Sequence, residues 1–206
     1  MREARYLTPL IAVTRDGGSG RVSLTRAGRV RIDYQLNQTG VATLRHAAIR
    51  MARRFPQLEL VGVEFEADSV ARARTTIEAE GLADRIEIRA ARATDPGHSG
   101  EYDLAYFQYA LHQLSDAPRV LAAAWAALRP SGRVIVLDWP LPSGPDEFRT
   151  RHGEIIAGVQ LDELYQGTAL ATRDQFLAWF SEAGLPEPST IDLPSGASVF
   201  LAERPA

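Results

Sequence analysis

The chain has 206 residues, 45% of them hydrophobic and 24% charged, a balance that predicts a globular domain with an appendage and excludes a disordered chain. Its formal net charge of -3 gives no broad basic surface, so neither nucleic acid nor an anionic membrane is an expected partner. The absence of cysteine excludes disulfides, thiolate metal sites and a cysteine nucleophile. Because no apolar run is long enough for a membrane span or a signal core, we predict a cytoplasmic protein.

The N-terminal part predicts three short strands joined by glycine-containing turns, over residues 9–14, 21–25 and 29–36. In the third strand, polar residues alternate with the apolar residues Val30, Ile32, Tyr34 and Leu36. This alternation gives one apolar and one wet face, which is typical of an antiparallel sheet. We therefore predict that residues 1–39 form a small β-meander, appended to a domain formed by residues 40–206.

A set of short motifs also lies within the first fifty residues: Ile11-Ala12-Val13-Thr14-Arg15-Asp16, Gly20-Arg21-Val22, Gly28 and Tyr34. They resemble part of the substrate domain of glucose-methanol-choline oxidoreductases, in the long-chain alcohol oxidase branch. Those oxidases carry a dinucleotide fingerprint near their start and a catalytic histidine near their end. Neither is recognisable here, so flavin chemistry is not implied and a structural appendage is favoured.

Beyond residue 40 the pattern changes to helices that alternate with strands. Helices are predicted over residues 40–55, from Asp68 or Ser69 to Gly81, and over residues 118–128. Strands are predicted over residues 58–64, 85–90, 102–108, 133–138, 190–193 and 197–202. Such alternation predicts an α/β fold whose sheet is mainly parallel and ends in an antiparallel hairpin.

Several motifs in this part occur in a specific order and spacing. They are Val61-Gly62-Val63-Glu64, Ala71-Arg72-Ala73-Arg74, Gly81-Leu82-Ala83-Asp84-Arg85-Ile86, Tyr102-Asp103-Leu104, Leu111-His112 and Ala127-Leu128-Arg129-Pro130-Ser131-Gly132-Arg133. Over residues 55–203 the chain therefore resembles a class I S-adenosylmethionine-dependent methyltransferase, with an ending like that of small-molecule O-methyltransferases. The resemblance implies a Rossmann-like fold, S-adenosylmethionine as cofactor and a small hydroxylated molecule as methyl acceptor.

The resemblance also implies where the cofactor would bind. Glu64 stands at the end of the second strand, where an acid can accept both ribose hydroxyls, and Phe65 is placed to lie against the adenine. A carboxylate that only caps the next helix is the alternative for Glu64. After the third strand, where the family usually has an aspartate that reaches the adenine, this chain has Arg92, and Asp95 lies near but out of register.

The glycine-rich loop of the family is missing from this sequence. Counted from Asp33, its positions hold Gln35, Asn37 and Thr39, which place side chains where the backbone must approach the cofactor. The first strand of the family's sheet is central, and its loss would leave buried strand edges unpaired. The segment 29–36 is the candidate to fill that place.

Three further residues are candidates for the catalytic and substrate sites. O-methyltransferases often carry the base that deprotonates a hydroxyl where this chain has His112, although a packed histidine is the alternative. Trp139 follows a strand end, where open α/β sheets bind ligands, and His152 could line the same pocket. Core packing for Trp139 and an exposed helix face for His152 are the alternatives. No group of residues has convincing ligand spacing, so no metal is predicted.

Two functions of different classes follow from these residues. The first is methyl transfer from S-adenosylmethionine to a small hydroxylated molecule, impaired by the loss of the loop. The second is a non-catalytic module, a truncated or recombined methyltransferase-like domain that binds a partner or has no function. Full-length O-methyltransferases carry a helical region before this domain that is missing here. In both cases the apolar surface that such a region would cover predicts self-association, as a homodimer.

Overall fold

The computed structural model describes residues Arg5–Leu7, Arg21–Leu24 and Val30–Asp33, together with residues 48–95 and 100–206. The strands of this part are β1 Arg5–Leu7, β2 Arg21–Leu24, β3 Val30–Asp33, β4 Glu59–Glu64, β5 Ile86–Ala90, β6 Tyr102–Gln108, β7 Leu128–Asp138, β8 Ser189–Asp192 and β9 Ser198–Glu203. Seven of them form one sheet in the order β5-β4-β1-β6-β7-β9-β8. The strands from β5 to β7 in this order are parallel, and β9 is antiparallel to β7 and β8. The predicted α/β fold, with a mainly parallel sheet and a closing antiparallel hairpin, is confirmed.

The helices of the described part are α1 (residues 48–54), α2 Ala67–Ala79, α3 Ala117–Ala127, α4 Pro145–Phe148, α5 Arg151–Gln166 and α6 Arg173–Glu182. None of these helices is both long and apolar enough to cross a bilayer. Their ends follow local chemistry: the Thr150 hydroxyl caps the start of α5, and Gly167 ends it with a φ of 84°. Thr172 and Gln175 form a reciprocal capping box at the start of α6.

The central position of the sheet is occupied by β1. This strand lies between β4 and β6 and is parallel to both, with Leu7 opposite Val61 and Ala105. The prediction that residues 29–36 fill this place is therefore wrong. Val30–Asp33 forms β3, which pairs antiparallel with β2 in a separate two-stranded sheet. The alternation of apolar and polar residues in β3 suits such a hairpin, because a central strand needs apolar residues on both faces.

The second and third strands predicted near the N-terminus thus exist as an antiparallel pair. The first of them, residues 9–14, lies outside the described residues, as does most of the oxidase-like segment. The boundary between residues 39 and 40 remains a prediction, and Arg5–Leu7 belongs to the large sheet although it precedes that boundary.

Two clusters of buried apolar side chains hold the described part together. The larger lies between β6, β7, β9 and the helices α3 and α6, and includes Tyr102, Phe107, Phe176, Phe180 and Phe200. The smaller lies between β4, β5 and the helices α1 and α2. Helices cover the faces of the parallel strands at both clusters. A ligand can therefore reach the sheet at the edge formed by the carboxyl ends of its strands.

Candidate functional site

A sharp turn after β6 carries His112 along the carboxyl edge of the sheet. Tyr109 follows the strand with a φ of 51°, a left-handed conformation that residues other than glycine seldom adopt. Its N–H donates to the carbonyl of Leu137 in β7 at 2.8 Å. A short 3-10 helix, Leu111–Gln113, follows and buries His112. His112 is thereby placed beside the end of β7.

Asp138 ends β7 and meets His112, since β6 and β7 are parallel neighbours whose ends lie at the same edge. Its carboxylate is fully buried. Nδ1 of His112 lies 2.9 Å from both carboxylate oxygens, and the N–H of Trp139 donates to Oδ1 at 2.9 Å. The imidazole therefore donates from Nδ1 to Asp138, which leaves Nε2 as the nitrogen available for other chemistry.

A second buried carboxylate, Glu163 of α5, faces the other side of the imidazole. Its Oε1 lies 3.5 Å from Nε2 of His112, beyond good hydrogen-bonding distance. Within the described residues, Nε2 has no hydrogen-bond partner. Gln113 donates to both oxygens of Glu163 at 3.2 Å, and the Thr168 hydroxyl donates to Oε2 at 2.5 Å. Glu163 is thus fixed by neutral donors next to an unsatisfied nitrogen.

The two carboxylates set the protonation of this site. Burial by itself lowers the pKa of His112, but the hydrogen bond and charge of Asp138, followed by the charge of Glu163, outweigh burial and raise it. Burial raises the pKa of Asp138 against the opposing influence of His112 and the Trp139 N–H. The folded site therefore holds protons more strongly than the unfolded chain does.

The free energy of unfolding is expected to fall as the pH rises above about 6.5, the ordinary pKa of histidine. The stability that His112 contributes is complete below that pH, and it is lost as the pH rises through the higher pKa of the folded state. The raised pKa of Asp138 acts in the same direction from a lower pH. Urea unfolding of the wild type and His112→Gln, from about pH 6 to about pH 9, measures this dependence. An equal fall in both proteins would contradict it.

Glu64 and Phe65 form a separate corner at the end of β4. The Oε1 atom of Glu64 accepts the N–H of Glu66 at 2.8 Å, and Glu66 caps α2 in place of the predicted Asp68 or Ser69. Phe65 is 71% exposed. The guanidinium of Arg92 lies 5.7 Å from the centre of the Phe65 ring, within the range of a cation–π contact. Asp95 is exposed in a turn closed by its own N–H on the carbonyl of Arg92.

These residues fit the adenosine half of S-adenosylmethionine better than its methionine half. Glu64 still has a second carboxylate oxygen, and the exposed ring of Phe65 can stack on a base. Arg92, however, shares the face of that ring. In sequence, β1 is followed by Thr8-Pro9-Leu10, with no glycine before Gly17.

The two predicted substrate residues lie in different surroundings. Trp139 is half-buried, and its ring lies 4.3 Å from that of Tyr109, so the two form an aromatic wall next to Asp138. His152 lies in the first turn of α5, about 16 Å along the helix from Glu163. It packs against Gly196 and lines a cavity of about 480 Å³ with Arg173, Asp192 and Ser198. The structure thus brings Trp139, but not His152, to the His112 cluster.

Sequence reasoning missed the two carboxylates that flank His112. The sequence does indicate Asp138 as a candidate site residue, because it is a single acid directly after the apolar run Val134–Leu137. Glu163 carried none, because an acid between Asp162 and Leu164 looks like part of an exposed helix face. Within the described residues, no three histidine or acidic side chains are arranged to hold a metal ion.

Comparison with known proteins agrees with this fold. Residues 44–132 match the family described as "Methyltransferase domain". Demethylmenaquinone methyltransferase of Thermus thermophilus is 30% identical over 95 residues, covering 46% of this chain and 43% of that protein. 27-O-demethylrifamycin SV methyltransferase of Amycolatopsis mediterranei is 28% identical over 150 residues, covering 71% and 52%. The matched region thus spans about half the length of these relatives.

A solved structure shows the same arrangement over nearly the whole chain. PigF with SAH superposes with a TM-score of 0.66 at 18% identity, covering 98% of this chain and 50% of that one. Residues 44–132 are therefore similar to the methyltransferase domain family, and the chain has the class I fold of S-adenosylmethionine-dependent methyltransferases.

Proposed function

We propose that this chain transfers a methyl group from S-adenosylmethionine to a hydroxyl group of a small molecule. The observation that carries the proposal is the buried contact between His112 and Asp138 at the carboxyl edge of a class I sheet. Two relatives are named as methyltransferases of demethylmenaquinone and of 27-O-demethylrifamycin SV. These names support a small molecule as the methyl acceptor.

The residues divide the work between binding and proton transfer. When bound, the cofactor supplies a methyl group on a positively charged sulfur. Glu64 would hold its ribose and Phe65 its adenine, with Asp95 near the same corner. His112 accepts the proton of the substrate hydroxyl at Nε2, while Asp138 holds Nδ1–H and stabilises the imidazolium.

Access to Nε2 requires a small movement of α5. The His112 side chain is 1% exposed, and Glu163 occupies the position in front of Nε2. The substrate hydroxyl therefore takes the place of the Glu163 carboxylate, and Trp139 with Tyr109 forms the wall against which the substrate lies. His152 is assigned to a distant part of a larger substrate, through the cavity that it lines.

A non-catalytic module is the second candidate, and two observations favour it. His112 faces a carboxylate on each side, and its raised pKa keeps it protonated and unable to act as a base over a wider pH range. No glycine lies within the nine residues directly after β1, and Arg92 shares the ring face on which adenine would stack. In this case the His112 cluster stabilises the sheet edge and the cofactor site is lost.

Calorimetric titration with S-adenosylmethionine and S-adenosylhomocysteine separates the two candidates. We expect binding weaker than micromolar, that is, weaker than about 8 kcal/mol, because side chains replace glycines in the loop and Arg92 replaces an acid. Glu64→Ala should weaken this binding further by roughly 1–3 kcal/mol, through the loss of charge-assisted hydrogen bonds. Glu78→Ala, which removes an exposed acid of α2, is the matched control and should leave binding unchanged.

Each result of this titration has a distinct meaning. Tight binding that survives Glu64→Ala would place the ligand elsewhere and remove the site assignment. The absence of binding at millimolar ligand would reject methyl transfer and support the non-catalytic module.

A further inference from the structure

The second half of α5 buries an acid rather than large apolar side chains. Of residues 157–165, only Glu163 is buried, whereas the first half of the helix buries Ile156. The side chains of Leu161 and Leu164 in the second half are 70% and 56% exposed. Because little apolar surface of this half is removed from water, its separation from the domain loses little hydrophobic stabilisation.

Polar contacts attach this half of the helix to its neighbours. The carboxylate of Glu163 accepts from the side chains of Gln113, which precedes α3, and Thr168, which follows the end of α5. The N–H of Leu170 donates to the side-chain oxygen of Gln160 at 2.8 Å. Water can replace either partner in such contacts, so their net contribution is small. The position of this half therefore responds to any further interaction of Glu163.

The contact between Glu163 and His112 depends on one proton. Oε1 of Glu163 lies 3.5 Å from Nε2 of His112, which has no hydrogen-bond partner among the described residues. In the neutral imidazole that donates from Nδ1 to Asp138, Nε2 carries a lone pair, so two buried acceptors face each other. A proton on Nε2 turns this nitrogen into a donor and the contact into an ion pair. The closed position of α5 is therefore favoured by the protonated imidazole and disfavoured by the neutral one.

Two other titratable groups lie around this contact, Asp138 of β7 and the phenol of Tyr109. Asp138 accepts from Nδ1 in either protonation state of His112, so it holds the ring without distinguishing the two states. Burial, with the charge of Asp138 as a further cause, raises the pKa of Tyr109 above its usual value, so the phenol stays neutral while His112 titrates. The charge of Glu163 contributes to the raised pKa of His112. Its interaction with the imidazole is the one that α5 loses when it moves away.

We propose that Glu163 and His112 form a proton-dependent latch, which holds the second half of α5 over the site when His112 is protonated and releases it when His112 is neutral. Release frees Nε2 as an acceptor and lets water or a hydroxyl group take the position of the Glu163 carboxylate. Glu163 is thus a positioning residue. The latch itself needs neither cofactor nor substrate, whereas its role in admitting a substrate rests on the proposed methyl transfer.

Hydrogen exchange of the full chain without ligand tests the latch, from about pH 6 to about pH 8, with each rate divided by the intrinsic rate at that pH. The opening constant of residues 157–166 should rise about tenfold for each unit by which closure raises the pKa of His112. The reference is α6, which buries Phe176 and Phe180 and reports unfolding of the larger cluster. At every pH its opening constant should stay below that of residues 157–166.

A neutral isostere separates the latch from ordinary packing of α5. In Glu163→Gln, the amide oxygen still accepts from Gln113 or Thr168, and the amide N–H donates to the neutral Nε2, so closure no longer needs a proton. The opening constant of residues 157–166 should then be nearly independent of pH, and the pKa of His112 in an NMR titration should fall. Glu154→Gln, which changes an exposed acid of the same helix, is the matched control and should match the wild type in both measurements.

Three results would overturn the latch. The first is a wild-type opening constant for residues 157–166 that is the same at both ends of the pH range or equal to that of α6. The second is the same pH dependence in Glu163→Gln as in the wild type, and the third is an unchanged pKa of His112 in that variant. None of these measurements requires methyl transfer, so a failure of the proposed function would leave all of them as expected.

Discussion

Asp138→Ala is expected to lower the free energy of unfolding by roughly 3–5 kcal/mol, the range seen when one partner of a buried ion pair is removed. The fully buried carboxylate accepts from Nδ1 of His112 and from the N–H of Trp139, and its loss leaves both donors unsatisfied. The remaining imidazole then faces a cavity rather than a counter-charge on its Nδ1 side. Urea unfolding followed by circular dichroism at neutral pH measures this loss.

An exposed aspartate provides the control for this measurement. Asp146 pairs with Arg149 on the surface at 2.6 Å, with exposed side-chain fractions of 95% and 77%. Asp146→Ala should change the free energy of unfolding by less than about 1 kcal/mol, because exposed ion pairs contribute little. A loss of that small size for Asp138→Ala would show that the contact with His112 is weak. It would also remove the main support for an oriented imidazole.

The strands from β4 to β7 were predictable because each contains several β-branched or aromatic residues, although β7 begins at Leu128 rather than at the predicted Arg133. Tyr102–Gln108 was predicted with the bounds that the structure shows. β1 was not predictable in this way. It has only three residues, Arg5–Leu7, and its place in the sheet depends on long-range pairing with β4 and β6. The central position was therefore predicted for residues 29–36, whose alternating pattern is longer and more regular and which contain β3.

In the candidate site too, features that depend on local sequence could be predicted, and features that depend on long-range contacts could not. His112 and Glu64 could be proposed from sequence because Glu64 ends a predicted strand and His112 lies shortly after another, at the edge where the α/β fold places its ligands. The pairing of His112 with Asp138 needs the order of β6 and β7, and its contact with Glu163 needs the docking of α5. Periodicity along the chain contains neither piece of information, since both contacts join residues 26 or more positions apart. The protonation of the site was therefore beyond sequence reasoning.

His112→Gln is expected to reduce kcat for methyl transfer by about 10²- to 10⁴-fold, the contribution typical of a positioned general base. The glutamine amide can still donate to Asp138, so the buried carboxylate keeps a partner and the fold is retained. Glutamine cannot accept a proton at neutral pH, and KM should change little because the residue acts on the reacting hydroxyl. Formation of S-adenosylhomocysteine with a panel of small phenols and aliphatic hydroxy compounds measures the rate. In the wild type, kcat should rise with pH through the raised pKa of His112, and this dependence should vanish in the variant.

A variant that retains more than about a tenth of wild-type kcat, with the same pH dependence, would show that His112 is a structural residue and that the hydroxyl loses its proton by another route.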